Sequence, residues 1–368
     1  MVEKKTLGSA RFPLVEISGQ PYQMGWMYGQ KCHQLIREFV KDFDDIILPR
    51  QVREKGRKIV QQAIPLVRKY APELYEEMEG IAAGTGLPLE EIFKLNCSSE
   101  LYAWLGCEWS RRHTTVQDAC TSFALSQKDG SLVAWNMDWW PKWQKYLVLL
   151  HGIPDFGQRF LCVAMAGALG RPGLAEKIAL AANYLPYRAK PSSIEPETHW
   201  SGPGVPYNIL SRMILQQRST EQALKLLRKV PRMACVNYTI GDWQGNIVCV
   251  ETLPSEMAII TSEEKLLVHA NNYHSSQFHG FSEKEQEKHD PRAWFGRQIL
   301  RKKDTIGKKE IYLAQRAHFP GKPAGICRHV SSKDKSMTLL SFVAEVGKKK
   351  MTVAYGPPCQ HRFFPYTL

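Results

Sequence analysis

No window of the 368-residue chain approaches the roughly 18 consecutive apolar residues that a membrane span requires. The opening MVEKKTLGSARFPLVEI also lacks the apolar run of a secretory signal. Both absences predict a soluble, cytoplasmic protein. The nine cysteines are an odd number and include no CxxC pair, which argues against a disulfide framework and a classical zinc motif. Most are expected to be buried thiols. His269, His274, His279, Cys327, His329, Cys359 and His361 match no known ligand spacing, so no metal is expected. Internal repeats and low-complexity segments are missing too. Acidic residues are few, and the formal net charge is +13. That charge is dispersed over short clusters at Lys4 and Lys5, Arg50 to Lys58, Arg301 to Lys309 and Lys348 to Lys350. Dispersion favours a solvated surface over a nucleic-acid stripe, and it also suits an anionic, phosphate-bearing cosubstrate.

What is present reads as a globular α+β chain with 43% hydrophobic and 23% charged residues. After a first strand over Phe12 to Ile17, Pro21 opens a helix whose apolar positions run to Phe43. Gly25 and Gly29 lie one turn apart there, a spacing that predicts close helix packing. Further helices are expected over Arg53 to Lys69, from Pro72 to about Gly84 and after Pro88. Past residue 118 the pattern changes to strands, then to helices at Pro206 to Gln217 and Thr220 to Lys229, the latter capped by Ser219. Strands return over Val236 to Asn271, helices over Asp290 to Arg301 and Lys308 to Ala317, and a hairpin over Thr338 to Tyr355. This order suggests two sheets sandwiched by helices.

The stretch DACTSFALSQKDGSLVAWNMDWW, Asp118 to Trp140, is the best candidate for chemistry. Its alternation and the Lys128-Asp129-Gly130 turn predict a hairpin. A three-residue loop would set Cys120 opposite Asp138, making thiol and carboxylate neighbours. A two-residue loop is expected to set Cys120 opposite Trp139 and to turn Asp138 to the other face. A thiol needs a base or a lowered pKa before it can attack. A papain-type arrangement would draw on His269 beside Asn271, or on His329. Cleavage of the Ala119–Cys120 bond is the other route, because it frees an α-amine of pKa about 8 on the nucleophilic residue itself. A lone cysteine is usually core packing, clustered tryptophans such as Trp135, Trp139, Trp140 and Trp143 usually are too, and the competing role for Asp138 and Asn271 is to cap or form a turn, with function the favoured reading for both.

Ala119-Cys-Thr-Ser-Phe followed by Asn136-x-Asp138-Trp139 resembles the start of the mature chain in the acyl-CoA:6-aminopenicillanic acid acyltransferase family of N-terminal nucleophile (Ntn) hydrolases. Gly19-Gln-Pro-Tyr-Gln-Met-Gly25 with Gly29, Tyr75 to Gly84, Gly204-Val-Pro206, His269-Ala-Asn271 and Ile326-Cys-Arg328 follow in family order. The resemblance implies a four-layer αββα sandwich of two antiparallel sheets flanked by helices. It also implies a precursor that cuts itself between Ala119 and Cys120, leaving a mainly helical pro-segment, residues 1–119, and a catalytic segment, residues 120–368, tightly associated. Cys120 would be nucleophile and carrier of the base, Asp138 would orient the new amine or polarise the thiol by hydrogen bonding, and Asn271 would donate to the oxyanion, a contact worth on the order of 3 kcal/mol. An arginine completes such a site, and Arg297 fits better than Arg292. The substrates would be small acyl amides or acyl-CoA thioesters, with acyl-CoA a possible cosubstrate and no cofactor of the protein's own. Ala119 replaces the glycine usual before the nucleophile, and its methyl restricts the backbone that self-cleavage must strain. That departure motivates the alternative of an unprocessed, non-catalytic binding protein retaining the fold.

Overall fold

The structure, a computed structural model, describes residues 8–48, 50–101, 119–186, 203–320, 325–332 and 335–368. In chain order the strands are β1 (Leu14–Gly19), β2 (Ala119–Gln127), β3 (Gly130–Trp139), β4 (Leu147–Pro154), β5 (Phe160–Met165), β6 (Gly173–Ala175) and β7 (Ile178–Tyr184). They continue with β8 (Val236–Asp242), β9 (Ile247–Thr252), β10 (Met257–Ile260), β11 (Leu266–His269), β12 (Met337–Glu345), β13 (Lys350–Tyr355) and β14 (Phe364–Thr367). One sheet runs β1-β4-β5-β6-β7-β8-β9-β10 and the other β11-β2-β3-β12-β13-β14. Every pairing is antiparallel except β1 with β4, which is parallel.

The sheets pack face to face, with β2 and β3 against β7 and β8. Pro291–Arg301 and Lys308–Gln315 cover the outer side of the six-stranded sheet, while Pro21–Lys31, Tyr207–Leu215 and Thr220–Lys229 lie on the eight-stranded one. This is the αββα sandwich expected of an Ntn hydrolase. Central strands are therefore covered on both faces, and all ten residues of β3 are buried. That double burial explains why the hairpin reads as only a partial alternation.

The glycine spacing in the first helix has its partner in Pro72–Thr85. A Cβ on Gly25 would lie 1.9 Å from Glu77 O, and one on Gly80 would lie 2.0 Å from Tyr22 O. Backbone meets backbone, so neither atom can swing aside. Gly80→Ala is expected to destabilise the fold by about 3 kcal/mol or more, read as a lowered denaturant midpoint. Gly307, at φ −143° and with Glu310 Oε2 at 3.4 Å the nearest atom to its missing Cβ, is the control for backbone entropy. The predicted long helix from Pro21 is divided at Cys32 (φ −113°), giving Pro21–Lys31 and His33–Ile46. Short elements that escaped the periodicity are β6, Glu283–His289 and β14.

Residues on both sides of the 119–120 bond share one core: Ile17, Phe39, Met78 and Phe93 cluster with Cys120, Trp135, Leu149 and Val163. A buried bidentate pair joins them as well, with Arg212 Nη1 and Nη2 donating to Glu77 Oε1 and Oε2 at 3.1 and 3.0 Å. No described helix is long and apolar enough to cross a membrane.

Candidate active site

The β2–β3 loop contains two residues, Lys128 and Asp129, so Gln127 pairs with Gly130 and Cys120 with Met137. Neither expected partner, Asp138 or Trp139, faces Cys120. Asp138 pairs with Ala119 instead, and the strand pleat sends its side chain to the face opposite that of Cys120. Gly130, at φ +109°, lies against Gly347 and the Trp243 carbonyl, a packing that admits no side chain and closes the loop early. Thiol and carboxylate are linked through an arginine rather than by sharing a face.

That arginine is Arg292. Its Nη1 donates to Cys120 O at 3.1 Å and lies 3.5 Å from Asp138 Oδ2, while its Nη2 donates to Asn271 Oδ1 at 2.8 Å. Asn271 Oδ1 also accepts the backbone N–H of Cys120 at 2.8 Å, and its Nδ2 donates to Tyr184 O at 2.7 Å. Thr338 Oγ1 donates to the second Asp138 oxygen at 2.6 Å. Antiparallel topology explains the convergence: β2 and β12 begin where β3 and β11 end, and β7 of the facing sheet ends there too. Arg297, the expected arginine, lies elsewhere and donates to Gln286. It is five residues beyond Arg292, about 140° round a helix, and only the first turn of Pro291–Arg301 reaches the strand ends.

Asn271 and Arg292 are held by one buried network. Glu251 Oε1 contacts His269 Nε2 at 2.8 Å and accepts His274 N at 2.5 Å, and His274 Nε2 contacts Asp290 at 2.8 Å. Burial pushes the Glu251 carboxyl up, but its hydrogen bonds to His269 and His274 outweigh this and leave its pKa below the ordinary value. The second ring nitrogen of His269 faces Ala270 O at 2.9 Å. Both nitrogens are engaged, which removes His269 as a papain-type base. Asn136, part of the quoted motif, is a tie rather than a reactant: its Nδ2 donates to Gln315 O and Ile326 O, each at 2.9 Å. Trp135 and Trp143 are fully buried, and Trp139 and Trp143 lie 5.9 Å apart, so these aromatics belong to the core.

On the thiol side of β2, Tyr207 is near enough for the Cys120 charge to raise its pKa, although burial is the larger cause. Sequence reading missed this neighbourhood, in which Tyr207 meets Arg171 from the segment before β6 and Glu100 from the helix Ser98–Leu101. Glu100 Oε1 accepts Tyr207 N, and burial raises its pKa to about 7. A carboxyl raised in the fold contributes stability below its unfolded value, lost as pH climbs through the folded one. Stability should fall by about 3 kcal/mol between roughly pH 4.5 and 7 from this group, and Glu100→Gln should flatten that slope in pH-dependent denaturant melts. On the far side of Asp138, residues whose spacing matches no ligand motif nevertheless meet: the donor atoms of His318, Cys327, His329 and Cys359 converge from separate segments.

A sequence model of the acyl-coenzyme A:6-aminopenicillanic acid acyl-transferase family matches residues 125–360. The chain belongs to this family. The match begins just after Cys120 and takes in Asp138, Asn271 and Arg292. Among acyl-transferase relatives, the 40 kDa form of acyl-coenzyme A:6-aminopenicillanic-acid-acyltransferase from Emericella nidulans is 22% identical over 94% of this chain and 92% of its own. The beta-alanyl-dopamine/carcinine hydrolase of Drosophila melanogaster is 25% identical over 72% of each chain. Among solved structures, a mutant of conjugated bile acid hydrolase from Clostridium perfringens covers 68% of this chain and 97% of its own, with 14% identity and a TM-score of 0.42. The relatives named are thus acyltransferase and hydrolase enzymes.

Proposed function

We propose that the chain is a cysteine Ntn enzyme that cuts itself before Cys120 and moves an acyl group through a thioester on that residue. The observation that carries this reading is the placement of the Cys120 backbone nitrogen, 2.8 Å from Asn271 Oδ1, with Arg292 bridging that oxygen and Cys120 O. In the precursor, Sγ attacks the Ala119 carbonyl carbon, and the peptide nitrogen leaves with the proton given up by the thiol. Water then hydrolyses the thioester, leaving a carboxylate on Ala119 and a free amine on Cys120. That amine remains within reach of the Asn271 oxygen, which orients it toward Sγ. Arg292, 3.5 Å from Asp138 Oδ2, adds positive charge where the oxyanion develops. An amide nitrogen carries two hydrogens, so one on Asn271 Nδ2 serves Tyr184 O and the second is available to that oxyanion.

In turnover the Cys120 amine takes the thiol proton, Sγ attacks the acyl carbon, and the leaving amine or CoA thiolate departs with a proton returned from the ammonium. Water or an acceptor amine then releases the acyl group. The named relatives include an acyl-coenzyme A:6-aminopenicillanic-acid-acyltransferase and a beta-alanyl-dopamine/carcinine hydrolase, so small acyl amides and acyl-CoA are the substrate classes proposed here. The shared core and the Glu77–Arg212 pair would hold residues 1–119 and 120–368 together after the cut in a soluble, cytoplasmic enzyme.

Intact mass and N-terminal sequencing of the purified protein test the reading. A second chain beginning Cys-Thr-Ser is expected. A chain that stays whole, with a Cys120 no more reactive to a thiol reagent than the other cysteines, would favour an unprocessed binding protein.

A further inference from the structure

We infer that His318, Cys327, His329 and Cys359 form a four-ligand metal site, filled by zinc or a similarly soft divalent cation, that staples the loops behind Asp138. Their donor atoms all lie within 4.8 Å of one another. Cys327 Sγ and Cys359 Sγ are 3.6 Å apart, His329 Nε2 is 3.1 Å from His318 Nε2, and the same nitrogen lies 3.1 and 3.6 Å from the two sulfurs. A tetrahedral zinc with bonds of about 2.3 Å to sulfur and 2.05 Å to nitrogen sets ligand edges of about 3.8 Å (S to S), 3.3 Å (N to N) and 3.6 Å (S to N). Three of these four edges fall within about 0.2 Å of those lengths, and the His329 Nε2–Cys359 Sγ edge is about 0.5 Å shorter.

Hydrogen bonding alone does not account for the cluster. An imidazole nitrogen offers one hydrogen or one lone pair, yet His329 Nε2 meets three donor atoms at once. A cation at the centre satisfies all four together. A disulfide would need the sulfurs at about 2.05 Å and would leave both imidazoles without a purpose there. The thiols give up their protons on binding, so two thiolates, two neutral imidazoles and a divalent ion make an uncharged unit.

The four ligands come from the segment after Lys308–Gln315, from the strand-like stretch around Cys327 and from the turn after β13. One backbone and one side-chain hydrogen bond hold this frame independently: Cys327 N donates to Ala317 O at 3.0 Å, and Arg316 Nε donates to Pro358 O at 3.0 Å. Four protein ligands leave no open position, which marks a structural rather than a catalytic site. Its reach toward the chemistry is short. Arg328, between two ligands, exchanges bonds with Thr338 at 2.9 and 3.1 Å, and Thr338 is the donor to Asp138.

The test uses the full chain produced without a histidine tag and dialysed against metal-free buffer. Elemental analysis should find about one zinc per chain. Cobalt(II) exchanged into the site should give the intense visible bands of a tetrahedral ion together with thiolate charge-transfer absorption, a readout that needs no variant to fold. Chelation should lower the melting temperature by several degrees and leave the mass of the chain unchanged. Cys359→Ser and His329→Ala should each lose most of the metal. Less than about a tenth of an equivalent after zinc-supplemented growth would overturn the site, as would a pale octahedral cobalt spectrum or a Cys327–Cys359 disulfide. Full zinc content in both variants would overturn it too.

Discussion

Cys120→Ala is expected to leave the chain in one piece and to lower acyl-transfer or amide-hydrolysis rates by on the order of 10⁴-fold or more. In the proposed mechanism one residue supplies both the nucleophile and, once its amine is free, the base, so a single substitution removes both. The fold should tolerate the change. Cys120 is 8% exposed at the start of β2 beside Met137, and exchanging a thiol for a methyl there costs about 1 kcal/mol, a small part of a domain's stability. An unchanged melting temperature would thus separate a chemical loss from unfolding. Cys120→Ser keeps a protic nucleophile of much higher pKa and should cut and turn over slowly rather than not at all. Normal turnover by the alanine variant would move the chemistry to another residue.

Arg292→Met should reduce turnover by about 10²- to 10³-fold, whereas Arg297→Met should change it by less than about threefold. The side chain of Arg292 is 16% exposed and bridges the Cys120 carbonyl, Asn271 Oδ1 and Asp138, so its charge acts where the dielectric is low. Burial lowers its pKa, and Asp138 and Asp290 oppose that shift. Arg292→Lys should recover only part of the rate, because an ammonium cannot span the same partners with a planar fork. Saturation kinetics on the two methionine variants would decide the matter, and the reverse ranking would return the role to Arg297.

The contrast between these arginines shows where sequence reasoning stops. Both lie on one helix that periodicity finds, but the choice depends on which turn abuts the ends of β3 and β11. Likewise the hairpin was legible in alternation and turn chemistry, while its register depended on the packing of Gly130 against Gly347 and the Trp243 carbonyl. One residue of slip moved Asp138 to the other face and made Arg292 its link to Cys120. Gly25 and Gly29 announced a close approach, but only the packed helices identified Gly80 and Gly84 as the answering pair.

The sequence by itself determined the αββα class, the strand that carries Cys120, the family and the candidates Asp138 and Asn271, because these follow from local periodicity and short ordered motifs. Tertiary structure alone decided which arginine lies beside Cys120, the pairing of the hairpin, the buried Glu100 beside Tyr207 and the meeting of His318, Cys327, His329 and Cys359. Each of these depends on segments far apart in the chain being brought within a few ångströms, and neither spacing nor composition encodes that distance.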